Sequence, residues 1–236
     1  MLIAGLQKMT LLDYPGKVAC TVFLQGCNFR CPFCHNSDLL GKEGPETIPQ
    51  ETLMAFLKKR VGLLDAVCVT GGEPTLQKDL PELLRQIKEL GYLVKLDTNG
   101  GRPQVLKALV EDKLVDYVAM DIKNSPARYG ETAGVPNMDL SHVEESIRYL
   151  LSGQVDFEFR TTVADELHDP ADFAAIGHWL QDLDVHHSAP KYFIQPYVDR
   201  ESVLAQGLTT PTREKLSKML DEITPYVLSA SLRGAD

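Results

Sequence analysis

Three of the five cysteines, Cys27, Cys31 and Cys34, fall within FLQGCNFRCPFCHN (residues 23–36), separated by three and then two residues. Thiolates are the ligands of iron–sulfur clusters, normally one per iron. Three of them on a four-iron cube leave one iron without a protein ligand, open to chelation by a small molecule. Gly26 and Pro32 suit a tight loop wrapped around an inorganic core. The same thiolates also suit a structural zinc site completed by a fourth ligand such as His35, or an electron-transfer cluster with a remote fourth cysteine. Cys20 and Cys68 lie inside apolar runs and read as small core residues.

The elements that must position these groups alternate between two periodicities. KVACTVFL (17–24), DAVCVT (65–70), YLVKLDT (92–98), VDYVAMDIK (115–123), VDFEFRTTV (155–163) and KYFIQPY (191–197) read as strands. Helical patterns follow them: 47–60, with Thr47 as N-cap, Gln50 completing a capping box and Pro49 in the first turn; 79–90, stopped by Gly91; 102–112, opened by Pro103; 141–153, with Ser141 as N-cap, Glu144 three positions on and Gly153 as terminator; 170–183; and 210–224. Six β–α units predict an α/β fold with a parallel sheet, and right-handed crossovers curl it into a partial (β/α)6 TIM-like barrel. No linker divides the chain, so 1–236 reads as one domain. In such folds active groups gather at the carboxyl ends of the strands. Those ends carry, in order, the three cysteines, TGGEP (70–74), DTNG (97–100), MDIK (120–123), FRTT (159–162) and IQPY (194–197).

Composition excludes several classes. A net charge of −9 disfavours a nucleic-acid binder, which needs a basic face. The cluster Lys58, Lys59, Arg60 reads as a solvated helix end, with docking of an acidic partner as the alternative. No run approaches the ~20 apolar residues of a membrane span, and the N-terminus does not read as a secretory signal, so the expected location is the cytoplasm. Five cysteines in that reducing compartment argue for metal or redox chemistry. Trp179 and the pair His186/His187 read as structural.

C-x3-C-x2-C after the first strand, with Phe33 just before the third cysteine, resembles the signature of the radical S-adenosylmethionine (SAM) enzymes. The resemblance covers essentially the whole chain, because the later strand ends match in order. It implies one [4Fe–4S] cluster on Cys27, Cys31 and Cys34, with SAM on the open iron. GGEP (Gly71, Gly72, Glu73, Pro74) resembles the family's SAM-binding turn: the glycines admit close backbone approach, while Glu73 and the Gly72 carbonyl suit the SAM ammonium. An ordinary Gly-Gly loop is the alternative. DTNG and DIK resemble the glycyl-radical-enzyme activases. There Asp97 and Asp121 would form a monovalent-cation site beside SAM, helped by the Thr98 and Ala119 carbonyls. Asn99 would hydrogen-bond the ligand, and Lys123 and Arg160 would meet the SAM carboxylate. A local ion pair with Asp121 or Glu158 is the alternative for both cations. Gln195 is the candidate adenosyl contact on the sixth strand, where Val198 replaces the histidine that pyruvate formate-lyase-type activases show after "PY".

The opening TLLDYPGKVACTVFLQGCNFRCPFCHN resembles most closely the single-domain activating proteins of anaerobic ribonucleoside-triphosphate reductase. Only 36 residues separate Cys34 from Gly71, so no additional cluster-bearing segment is expected there. The implied activity is reductive cleavage of SAM to a 5′-deoxyadenosyl radical, which removes hydrogen from a glycine of a partner enzyme. The implied partners are that glycyl-radical enzyme and a flavodoxin- or ferredoxin-like electron donor. The alternative is a radical SAM enzyme on a small molecule, such as a 7-carboxy-7-deazaguanine synthase-like reaction. No residue resembles a general base or nucleophile with a paired orienter, and radical hydrogen abstraction needs neither.

Overall fold

The structure, a computed structural model, describes residues 2–41, 46–186, 188, 190–200 and 202–234. The chain groups into two compact units. The first comprises residues 1–28, 36–98 and 104–119. Here β1 (Ile3–Thr10) runs antiparallel to β2 (Ala19–Leu24), and β3 (Ala66–Gly71) and β4 (Leu93–Thr98) follow in parallel. α1 (Gln50–Lys58) and α2 (Leu80–Glu89) are the crossovers, and α3 (Pro103–Glu111) leads to β5 (Tyr117–Asp121). Ala66, Val67, Cys68 and Val69 of β3 are all fully buried. Burial on both faces is why this strand is a continuous apolar run rather than an alternating one. α2 buries Leu80, Leu83, Leu84 and Ile87, one helical stripe. Each such leucine contributes about 1.5–3 kcal/mol relative to exposure. Gly91 ends that helix with a φ of 87°, a conformation open to glycine.

The second unit comprises residues 29–35, 99–103 and 120–236. It holds the last two residues of β5, then α4 (Tyr129–Ala133), α5 (Ser141–Leu151), β6 (Asp156–Val163), α6 (Pro170–Leu183), β7 (Lys191–Pro196), α7 (Arg213–Ile223) and β8 (Ser229–Leu232). β6, β7 and β8 are parallel neighbours. Asp169 and Asp172 form a reciprocal capping box at the start of α6. Trp179 is buried, and its indole N–H donates to Glu144 at 3.2 Å, in keeping with a structural role. His187 lies outside the described residues.

The strands follow chain order, β1 to β8. All six expected strands and all six expected helices are present, and among the described residues β1, the five-residue α4 and the four-residue β8 are strands and a helix that were not anticipated. Two caps differ from expectation. Thr47 does not cap α1, which starts after Pro49; Ile48 pairs with Ile3 in an isolated bridge and holds this stretch extended. Ser141 does not cap α5 either. Its hydroxyl and its N–H both donate to the Asp139 carboxylate at 2.9 Å.

Candidate functional site

In the first unit, β2 ends at Leu24 and the chain turns through Gly26 (φ 95°) to reach Cys27. The GGEP turn is sewn to this exit by backbone: Gly72 N–H donates to Leu24 O at 2.8 Å and Glu73 N–H to Gly26 O at 2.7 Å. A Cβ on Gly71 would lie 2.3 Å from Leu24 O, and one on Gly72 would lie 2.1 Å from Gly26 O. The glycines are therefore required by contact with the cysteine-bearing segment, a reason different from the close ligand approach expected of them. The Asn36 amide adds a bond to Gly71 O at 3.1 Å. Glu73 is 1% exposed. Its Oε1 accepts from the Thr75 N–H at 3.1 Å, the Thr75 hydroxyl at 2.5 Å and the Thr98 hydroxyl at 2.8 Å. Glu73 thus caps the short 3-10 turn begun by the buried Pro74 and ties it to the end of β4.

One row of side chains crosses this unit's sheet. Thr21 is in register with Cys68, and Cys68 with Lys95. The Thr21 hydroxyl donates to Asp13 at 2.5 Å, and the fully buried Lys95 ammonium is ion-paired with Asp97, two residues along β4. Lys95 was not singled out from sequence. The signal was present: a charge at the position whose alternation places it with Asp97.

In the second unit, residues 29–35 carry Cys31, Phe33 and Cys34. Arg30 N–H donates to Ala133 O at 2.9 Å, Ala205 N–H to Pro32 O at 3.0 Å, and the Ser202 hydroxyl to His35 O at 2.8 Å. Gly134 (φ 66°) ends α4, and a Cβ there would lie 2.1 Å from Arg30 O. Phe33 is buried edge-on to His168, with ring centroids 6.0 Å apart, and His35 stacks on Tyr197 at 5.5 Å. Gly134, His168, Ser202 and Ala205 were not foreseen, because they act through chain remote in sequence.

Asp121, Lys123 and Arg160 come together. Lys123 Nζ lies 2.9 Å and Arg160 Nε 2.5 Å from opposite oxygens of Asp121. Burial alone would raise the Asp121 carboxyl; the two cations overcome it and hold it well below the usual carboxylate range. Burial would lower the Lys123 ammonium, but Asp121 and then Cys31 push it above its usual value. The local ion pair left open for these cations is thus present at Asp121. Glu158 is taken by Arg233, at 2.7 and 3.0 Å. Asn99 is buried, its Oδ1 accepting from Gly101 N–H at 2.9 Å. Gln195 sits near the end of β7, in register with Thr162.

Thiol chemistry sorts the cysteines. Cys20 and Cys68 are fully buried, and burial pushes the Cys20 thiol up to about 12 and Cys68 higher still. Both stay protonated and are poor ligands. Cys31 is 8% exposed, Cys27 and Cys34 are partly exposed, and none of the five is in a disulfide. The remaining donor set is three thiols, Cys27, Cys31 and Cys34, and this fits a four-iron cube with one open iron. Among the described residues no three His, Cys, Asp or Glu side chains converge on a single ion; a cubane instead spreads its ligands one per iron.

The chain belongs to the radical SAM superfamily, whose family model matches residues 21–169. The family implies a [4Fe–4S] cluster and SAM. A protein of Methanocaldococcus jannaschii, provisionally named glycyl-radical enzyme activating enzyme MJ1227, is 34% identical over 192 residues, covering 78% of each chain. A 7-carboxy-7-deazaguanine synthase of Koribacter versatilis is 31% identical over 148 residues, covering 62% of each. The solved structure of a domain of pyruvate-formate lyase-activating enzyme from Bacteroides vulgatus aligns with a TM-score of 0.58 at 21% identity, over 72% of this chain and 99% of that one. The α/β fold, with its mostly parallel sheet, is that of the partial TIM-like barrel of this superfamily.

Proposed function

We infer that this chain is a single-domain activase that installs a glycyl radical in a partner enzyme, with anaerobic ribonucleoside-triphosphate reductase as the partner. The observation that carries the cofactor half is the trio Cys27, Cys31 and Cys34, outside every disulfide and set apart from the deeply buried, protonated Cys20 and Cys68. The activase half is supported by the similarity to MJ1227 over most of both chains. Bound cluster and SAM would supply the 5′-deoxyadenosyl radical that takes hydrogen from the glycine. Cys27, Cys31 and Cys34 hold the cluster. Lys123 and Arg160 hold the SAM carboxylate. The Gly72 carbonyl faces the SAM ammonium, with Glu73 fixing the turn that presents it. Phe33, Asn99 and Gln195 line the adenosyl side. The electron comes from a flavodoxin- or ferredoxin-like donor, in the cytoplasm.

The test is anaerobic incubation of the reconstituted chain with SAM, reductant and the ribonucleotide reductase subunit, read by EPR. A doublet from one α-hydrogen is the expected result. A silent spectrum alongside ongoing 5′-deoxyadenosine release removes the activase reading and leaves the radical SAM one. Turnover of a deazaguanine precursor without any protein partner would establish the small-molecule alternative.

A further inference from the structure

His168 is fully buried in the second unit and is neither a cluster ligand nor a candidate SAM contact. Three contacts define it. Its Nε2 lies 2.9 Å from Lys123 O, its Nδ1 lies 3.3 Å from the Ala164 backbone nitrogen, and its ring meets Phe33 at a steep angle. A carbonyl only accepts and a backbone N–H only donates, so one neutral tautomer satisfies both nitrogens: Nε2–H donates to Lys123 O, and Nδ1 accepts from Ala164 N–H. The opposite tautomer would set a lone pair against Lys123 O. Its Nδ1–H would turn to Ala164 O, also at 3.3 Å, which already accepts the N–H groups of Leu167 and His168 at 3.2 Å each. Burial lowers the His168 pKa and so favours the neutral ring.

These contacts close a circuit. From Lys123 the chain passes to Asn124, whose amide donates to Thr132 Oγ1 on α4 and to Leu167 O, both at 2.9 Å. Next to Thr132, Ala133 O accepts the Arg30 N–H at 2.9 Å. Arg30 leads through Cys31 to Phe33, Phe33 meets His168, and His168 returns to Lys123. Asn124, Thr132, Phe33 and His168 are all buried, so water does not replace a lost link.

We propose that His168 is a positioning residue: with one nitrogen on the Lys123 carbonyl and its ring on Phe33, it sets Lys123 and the cysteine-bearing segment at a fixed separation. Leucine in its place supplies neither link. Glutamine supplies an N–H for Lys123 O, and phenylalanine supplies a ring for Phe33. The consequence for SAM rests on the SAM-binding reading above; the consequence for the cysteines does not.

The experiment compares the full-length wild type with His168→Leu, His168→Gln and His168→Phe. Iodoacetamide alkylation of the reduced, cluster-free chain is followed cysteine by cysteine by mass spectrometry. SAM affinity is measured on the reconstituted holoenzyme. His168→Leu should speed alkylation of Cys31 and Cys34 by about threefold or more and weaken SAM binding by about tenfold or more. Cys20 and Cys68 should stay unlabelled, and the emission of the single tryptophan, Trp179, should not change. His168→Phe should recover the thiol protection but not the SAM affinity, and His168→Gln the affinity but not the protection. A histidine that merely fills the core gives no such split. Wild-type protection and affinity in His168→Leu overturn the proposal, as does labelling of Cys20 and Cys68 at the same pace as the other cysteines. If His168→Leu does not fold, the other two variants decide, and like behaviour of the pair overturns the proposal. If the wild-type holoenzyme binds no SAM, the SAM reading fails, and the alkylation rates still decide the role of His168.

Discussion

At the scale of single residues, the two acidic side chains that look most like ligand contacts are already heavily committed within the protein. Glu73 collects three donors on one buried oxygen. Leaving buried donors without an acceptor costs about 1–3 kcal/mol each. Glu73→Ala should therefore lower unfolding free energy by about 3 kcal/mol or more, and Glu73→Gln, which keeps an acceptor oxygen, by much less; urea unfolding measures both. Asp121 makes a prediction in pH. Its folded pKa is depressed, so in acid the unfolded chain binds the proton more readily and stability rises with pH. The contribution is complete above the unfolded carboxylate value of about 3.9 and is lost as pH falls toward the folded one. The stability gap between wild type and Asp121→Asn should be constant from pH 6 to 5 and shrink below about pH 4. Sequence revealed the residues of this group, because alternation along the expected strand 115–123 puts Asp121 and Lys123 on one face, although β5 itself ends at Asp121. It could not reveal whether Arg160 pairs with Asp121 or Glu158, since that depends on which strand-end carboxylate Arg233 takes.

At the scale of elements, what could be read was whatever carries its own local pattern. β2, β3 and β5 are apolar runs, and α2 has a clean stripe with a glycine stop. The elements that escaped are those whose stability comes from neighbours. β1 has the mixed burial of an edge strand, β8 is only Ser-Ala-Ser-Leu, and α4 is a little over one turn. α4 nevertheless seats the segment carrying Cys31. Gly134 is held at φ 66° with Arg30 O where a Cβ would be. Gly134→Ala should displace that segment, so iron per chain after anaerobic reconstitution should fall at least threefold, with far-ultraviolet circular dichroism unchanged. Loss of secondary structure along with the iron would instead mark a folding defect.

At the scale of the whole molecule, fold class followed from the alternation of periods, and the candidate strand-end segments followed from the rule that strands present chemistry at their carboxyl ends. The boundaries of the two compact units could not be read in advance. They cut across elements: β5 is divided between Ala119 and Met120, and residues 29–35 leave one unit for the other. Stability should be uneven in a way burial dictates. The backbone amides of the four buried residues of β3, Ala66 to Val69, should exchange with deuterium at least a hundredfold more slowly than those of β8, whose residues are exposed or half-exposed. Mass-spectrometric exchange at neutral pH reads both, and equal rates would contradict the burial pattern.

The contact between Gly72 and Gly26 changes how inherited damage in this protein should be diagnosed. A substitution at Gly72 lies 45 positions beyond Cys27 and looks like a nucleotide-pocket lesion, yet its first steric victim is the carbonyl next to that cysteine. Such an allele should present as colourless, metal-poor protein rather than as brown protein blind to its nucleotide.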